Sequence, residues 1–226
     1  MSTRAFAASV IAVLMLGGFA LSAQAPASVR YRSGSMPVLS PTALGGGQVF
    51  LELSISPDGG VTSVTPIRTT PPFTDLVASA VRDWRFDPAS GPATPVETRV
   101  LVAAVFRAPV LMGPTLGERP RDIAAASASV ALPAATAEPP FPAQARDAGV
   151  VLVEVLIAQN GRVDRARVVH SSPPFDDVAV AAAQRWTFRP ARVGDTPVAS
   201  VAYIIFGFPV PLGSTPRGRG MLTPRQ

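Results

Sequence analysis

The run His170-Ser171-Ser172, with Asp176 and Asp177 just beyond it, brings an imidazole, two hydroxyls and two carboxylates close together in the chain. These are the residue types of nucleophilic hydrolysis, where a base activates a hydroxyl and a carboxylate orients the base. Such a triad is defined in space, and no Gly-x-Ser-x-Gly elbow accompanies these residues. The plain reading is a surface histidine at a strand end. His170 is the one histidine of the 226 residues and cysteine is absent, so a zinc site lacks its usual ligands and no disulfide can form. Glu52 and Glu154 are read as outward strand residues or partners of a nearby arginine rather than as acid and base. Gly45-Gly46-Gly47 lacks the Lys-Ser/Thr of a phosphate loop and reads as a lead-in to a strand. No catalytic residue, cofactor or metal is expected, and the chain is not expected to be an enzyme.

Charge narrows the partners. Lysine and arginine together number 20 against 15 acids, a net +5, and every basic residue is arginine. The charges are dispersed, without the basic stripe and interleaved aromatics of a nucleic-acid binder, so nucleic acid is not expected. The one local cluster is Arg217, Arg219 and Arg225, in a tail (residues 214–226) expected to be disordered. At the other end, Arg4, an apolar run from Ala5 to Leu21 and Ala23-Gln24-Ala25 have the layout of a signal peptide over residues 1–25, with an uncleaved anchor as the alternative. Either places the remainder outside the cytoplasm. Membrane contact is expected only through an uncleaved N-terminus.

The chain then repeats itself. "TTPPFTDLVASAVRDWRFDP" (69–88) returns as "SSPPFDDVAVAAAQRWTFRP" (171–190), a shift of 102 residues from Trp84 to Trp186. Without a gap, the same shift aligns Pro37 with Pro139, Gly47 with Gly149, Glu52 with Glu154, Gly59 with Gly161 and Phe106 with Phe208. It also sets Arg68 against His170, so the repeated unit does not depend on an imidazole. Two modules follow, residues 37–111 and 139–213. Residues 112–138, rich in Ala, Ser, Pro and Gly, read as a linker in which Arg121 to Leu132 could form a short helix stopped by Pro133.

Elements follow from periodicity. Val151, Val153, Val155 and Ile157 alternate as a strand does, Asn160-Gly161 is a hairpin turn, and Val163 to His170 is the return. Leu152 and Leu156 make the second face partly apolar, as a covered face would be. After Pro173-Pro174, Asp176 or Asp177 can cap a helix. Phe175, Val178, Ala179, Ala182, Ala183 and Trp186 then form one helical stripe, matched by Phe73, Leu76, Val77, Ala80, Val81 and Trp84. A loop after Pro190 leads to a third strand, Val198 to Phe208, and Pro142 to Ala148 offers one or two helical turns ahead of the first strand. Phe73, Trp84, Phe86, Phe175, Trp186 and Phe188 are the expected core. The fold class is α+β: two tandem small domains, each a three-stranded antiparallel sheet packed on a helix.

Phe141-Pro142-Ala143-Gln144-Ala145, Gly149, Asn160-Gly161, Val163, Ser171, Phe175, Trp186, Phe188 and Pro190 together resemble the TonB C-terminal domain family. The first module shares Gly47, Asp58-Gly59, Phe73, Trp84, Phe86 and Pro88 but lacks the aromatic-Pro start. The resemblance implies an energy-transducer-like protein of TonB-dependent transmembrane transport, located in the periplasm or anchored in the inner membrane and facing the periplasm. Such a protein binds an extended peptide of an outer-membrane transporter, or of another envelope partner, by strand addition. It also implies that the third strand supplies the edge: Ala199, Ser200, Val201, Ala202, Tyr203, Ile204, Ile205 and Phe206, and by extension Glu97 to Ala104. The alternative is an envelope scaffold or self-associating module of the same fold without energy coupling. That alternative is suggested by the lack of histidine in residues 1–30 and by the short spacer ahead of module one.

Overall fold

The nine-residue runs GQVFLELSI and GVVLVEVLI are β-branched or apolar at nearly every position, and each ends in a Gly-containing turn. Both become hairpins in a computed structural model that describes residues 29–39, 46–87, 97–108 and 126–210. The expected signal peptide (1–25), the expected tail (214–226) and residues 112–125 of the expected linker lie outside the described residues. Among the described residues no helix is long and apolar enough to cross a membrane.

The first half runs β1 (Arg30–Ser33), β2 (Gly47–Ile55), β3 (Val61–Arg68), α1 (Phe73–Val81), β4 (Arg85–Asp87) and β5 (Thr98–Phe106). The second runs β6 (Leu132–Ala135), β7 (Gly149–Ile157), β8 (Val163–His170), α2 (Asp176–Ala183) and β9 (Thr187–Arg189). It continues through β10 (Ala191–Val193) and β11 (Thr196–Val198) to β12 (Ser200–Phe208). Equivalent elements keep the 102-residue shift, including β1 and β6, which pair with β4 and β9.

The turns repeat as closely as the strands. Gly59 (φ +88°) and Gly161 (φ +79°) occupy left-handed backbone, and their carbonyls accept the N–H groups of Phe86 and Phe188 at 2.9 and 2.7 Å. A Cβ at Gly161 would sit 1.9 Å from the Phe188 carbonyl oxygen, so only glycine fits. The Trp84 indole N–H donates to the Ser35 carbonyl at 2.8 Å, and that of Trp186 to the Ala137 carbonyl at 2.9 Å. Phe73 stacks on Phe106 as Phe175 stacks on Phe208, each pair with ring centroids 4.4 Å apart.

The two halves share one sheet. Its order is β3-β2-β5-β12-β7-β8, antiparallel throughout except at the centre, where β5 and β12 run parallel. Parallel neighbours in a mirrored strand order require a pseudo-twofold axis along the strands, and such an axis exchanges the faces. The register carries this out. Leu101 pairs with Ala202, one residue off the 102-residue repeat, and a one-residue offset swaps every side chain to the other face. The helices therefore cover opposite faces. Val49, Leu51, Leu53, Val102 and Trp84 pack with α1, whereas Val151, Val153, Val155, Ile204 and Trp186 pack with α2.

Each half also fills the far side of the other. Leu152, Tyr203 and Ile205 join the α1 cluster, while Phe50, Leu101, Ala103 and Val105 join the α2 cluster. This explains strands that are apolar on both faces.

Several expectations change. The halves are not separable domains joined by a linker, because their third strands are hydrogen-bonded neighbours. Residues 126–132 form no helix: a turn leads into β6, and Pro133 lies inside that strand opposite Phe188. Tertiary pairing outweighs the alanine content there. The loop after Pro190 contains the β10–β11 hairpin. Pro142 to Ala148 makes a single turn, Ala145 N–H to the Pro142 carbonyl at 3.0 Å. Neither aspartate caps α2. Asp176 instead accepts the Ser172 N–H at 2.8 Å and the Ser171 hydroxyl, tying the strand end to the helix. Thr74 does the equivalent for the Thr70 N–H at 2.8 Å.

Candidate functional site

The residues expected to offer a docking edge are in the middle of the sheet. Ser200 to Phe206 lie in β12, bonded to β7 on one side, and Ala202 to Phe206 are paired with Leu101 to Val105 of β5 on the other. Ala202, Tyr203, Ile204, Ile205 and Phe206 are fully buried, Ser200 and Val201 are half-buried, and Ala199 is the half-buried residue just before the strand. The equivalent stretch of β5 is bonded to β2 and β12, and Glu97 is exposed ahead of it. Neither third strand has a free edge. The physical reason is symmetric: two open edges, each apolar on both faces, satisfy one another's N–H and C=O groups more completely than water and a transient peptide can.

Phe73, Phe86, Phe175 and Phe188 are buried, and Trp84 and Trp186 are 0 and 1 % exposed. His170 is exposed at the end of β8 opposite Leu152. Ser171 is engaged with Asp176 rather than with an imidazole. No group of three or more metal-ligating side chains occurs among the described residues.

Residues 137–209 match the family model of the Gram-negative bacterial TonB protein C-terminal. No curated protein matches the chain. The match begins at Ala137, whose carbonyl holds the Trp186 indole, and ends just past β12. It thus spans the hairpin, helix and third strand of the second half, and less than half of the chain. TonB C-terminal domains act in the periplasm through protein–protein contact, which directs attention to the exposed backbone of this half.

Among the described residues the sheet ends at β3 and β8. These edges are equivalent by the repeat but chemically different. β3 reads VTSVTPIR, with Pro66 opposite Leu51; β8 reads VDRARVVH, with Val168 opposite Val153. A proline contributes no N–H, and on an edge strand its nitrogen is placed facing away from the neighbour. β3 is therefore blunted at Pro66, whereas β8 keeps an N–H at every position.

Beside β8 the surface is built around Glu154, in the middle of β7. Its carboxylate takes a bidentate pair from Arg167, Nε at 2.8 Å and Nη2 at 2.9 Å, and a hydrogen bond from the Tyr203 hydroxyl at 3.1 Å. The Tyr203 oxygen also accepts the Tyr31 N–H at 2.8 Å and lies 3.0 Å from the Val29 carbonyl. Burial, and then the Glu154 charge, push the Tyr203 phenol well above its ordinary range; the Glu154 hydrogen bond raises Arg167. Residues 29–31 of the first half are thereby tied onto the second half. Glu52 mirrors the arrangement with Arg99 Nη1 at 2.8 Å and the Ser127 N–H at 2.9 Å. Glu52 holds the crossing segment directly and Glu154 only through the Tyr203 hydroxyl, and of the two readings of these glutamates the arginine-partner one describes them.

A pocket opens between β1 and β8, lined in part by Arg30, Glu154, Arg165 and Arg167. The alternation of Arg165 and Arg167 along one strand face is visible in the sequence. That their strand lies at an edge depends on how the halves pair, which periodicity alone does not convey.

Proposed function

We propose that the protein is a TonB-like envelope protein of the periplasm that binds an extended peptide by strand addition. The first half is a diverged second copy of the TonB C-terminal domain. The peptide belongs to an outer-membrane transporter or another envelope partner, and it docks on β8 rather than on the third strand. Binding, not catalysis, is the role. The observation that carries this reading is the asymmetry of the two outer edges, one interrupted by Pro66 and the other continuous through Val168. About five added backbone hydrogen bonds at ~0.5–1.5 kcal/mol each, offset by ~1–2 kcal/mol per ordered peptide residue, give weak, transient capture, micromolar or weaker.

The test uses the repeat itself. Val168→Pro transplants the β3 residue to its equivalent on β8, a position where this fold already holds proline. Outer-membrane extracts passed over the immobilised wild-type protein should yield transporters identified by mass spectrometry, and V168P of unchanged circular dichroism should lose them. Retention by folded V168P would overturn the β8 assignment.

The mutual sealing of β5 and β12 favours a second reading, an envelope scaffold without energy coupling. Recovery of envelope proteins with neither transporters nor motor proteins among them would select it. Sequencing the mature N-terminus separates a free periplasmic protein, starting at Pro26, from an anchored one.

A further inference from the structure

We infer that the β8 edge selects acidic extended segments, with carboxylates at alternate positions facing Arg165 and Arg167 and with Arg30 behind them. The inference rests on the strand-addition reading and names the chemistry of its partner. Arg165 and Arg167 are two residues apart and share one face of β8, opposite Leu156 and Glu154 of β7. A strand added to β8 would place its own alternate side chains about 4.5–5.5 Å away, Cβ to Cβ, on that same face. Glu154 is saturated by Arg167 and Tyr203. Arg165 and Arg30 line the same pocket, are exposed, and have no acidic partner among the described residues. Asp164, the extra residue of the bulge between Val163 and Arg165, is the one acid on β8 and, against Arg165 and Arg167, leaves the strand net positive.

Two comparisons within the chain show that these charges are not a requirement of the fold. At the equivalent positions β3 has Ser63 and Thr65, and it pairs with β2 in the same register. Glu52, the equivalent of Glu154, is neutralised from β5 by Arg99 instead. β3 has one arginine of its own, Arg68 at its end over the Phe50 ring, so the alternating positive charge at these two positions is particular to the β8 edge, which also lacks proline. It disfavours a second copy as occupant. Antiparallel pairing of two β8 strands about Ala166 would set Arg165 against Arg167 of the other copy, and directly opposed like charges destabilise a sheet.

The probes are three capped seven-residue peptides alternating Thr with Glu, Gln or Lys, labelled for fluorescence anisotropy and titrated with the full chain. The Glu peptide should bind about tenfold more tightly than the Lys peptide at low ionic strength, with Gln between. The gap should shrink toward unity in ~0.5 M salt, where the Debye length falls to about 4 Å. The double variant R30Q/R165Q should lose most of the Glu preference and keep the affinity for the Gln peptide. Equal binding of all three peptides that V168P abolishes would overturn acidic selection while leaving strand addition intact. A Glu preference undiminished in R30Q/R165Q would likewise overturn it. No binding of any peptide would sink the strand-addition reading and this inference with it.

Discussion

A sheet shared by both halves means that damage to one half must be felt in the other, and the two tryptophans make this measurable. The chain has one in each half, so Trp84→Ala leaves Trp186 as the sole indole reporter, on the opposite face of the sheet. Trp84 is 0 % exposed and its N–H is bonded to the Ser35 carbonyl at 2.8 Å. Removing a buried aromatic of this kind costs about 3–5 kcal/mol, of which the hydrogen bond accounts for roughly 1 kcal/mol. With a urea dependence of about 2 kcal/mol per molar, within the range for proteins of this size, the unfolding midpoint should fall by about 1.5–2.5 M. The red shift of Trp186 emission should move by that full amount although the mutation lies in the other half. The α1 cluster contains Leu152, Tyr203 and Ile205 of the second half and the α2 cluster contains Phe50, Leu101 and Val105 of the first, so neither half keeps a complete core alone. Trp186→Ala, read through Trp84, should behave the same way, and Trp84→Phe should shift the midpoint in the same direction by less. A Trp186 transition that stays at its wild-type midpoint while circular dichroism records the earlier loss of the first half would refute the shared-sheet reasoning.

Two further predictions concern single contacts. Tyr203→Phe removes the hydroxyl that joins Val29, Tyr31 and Glu154 and should cost about 1–3 kcal/mol in urea unfolding; an unchanged midpoint would show the network to be dispensable. The Tyr203 and Tyr31 phenols are both raised above the ordinary 10.0, chiefly by burial. The unfolded chain therefore releases these protons first, and stability, full below about pH 10, should fall as pH rises past that value, less steeply in Y203F. Gly161→Ala should be clearly more destabilising than Gly194→Ala. Both glycines have positive φ, at +79° and +57°, but a Cβ at Gly161 meets the Phe188 carbonyl at 1.9 Å whereas one at Gly194 meets nothing within 4 Å. The left-handed conformation alone costs about 1–2 kcal/mol; equal losses at the two sites would argue that the Gly161 turn yields without cost.

What could be read from the sequence was whatever depends on neighbours along the chain. Alternation marked β7 and β8, the stripe from Phe175 to Trp186 marked α2, and the fixed 102-residue spacing marked equivalent positions. The same periodicity also gave warning of a covered second face at Leu152 and Leu156, of which Leu152 proves fully buried in the other half's cluster. What escaped was set by contacts between halves. Leu132–Ala135 has no strand pattern of its own and becomes one because Phe188 and its neighbours offer a ladder. The third strands read as an edge because a lone module would leave them open; only the presence of two identical open edges in one chain closes them. Arg165 and Arg167 were legible as an alternating pair but not as an edge, since edges are assigned last, after every other strand has found its partner.

The shared sheet changes which strand edges remain open. A single three-stranded module has two free edges, the third strand and the returning strand of the hairpin. Two modules related by an axis along their third strands consume both third-strand edges in one parallel ladder and leave both hairpin edges outward. Symmetry would make those two equivalent and would invite chains to add end to end through their edges. The observed sequence breaks the equivalence at the residues that matter for edge pairing: Pro66 against Val168 removes an N–H from one, and Ser63 and Thr65 against Arg165 and Arg167 put charge on the other. Pairing of β3 with β8 of another copy is hindered by the proline, and pairing of β8 with itself by the arginines. On the strand-addition reading proposed above, the edge left to accept a strand is one that disfavours its own kind, which is the condition for binding a different, oppositely charged partner without polymerising.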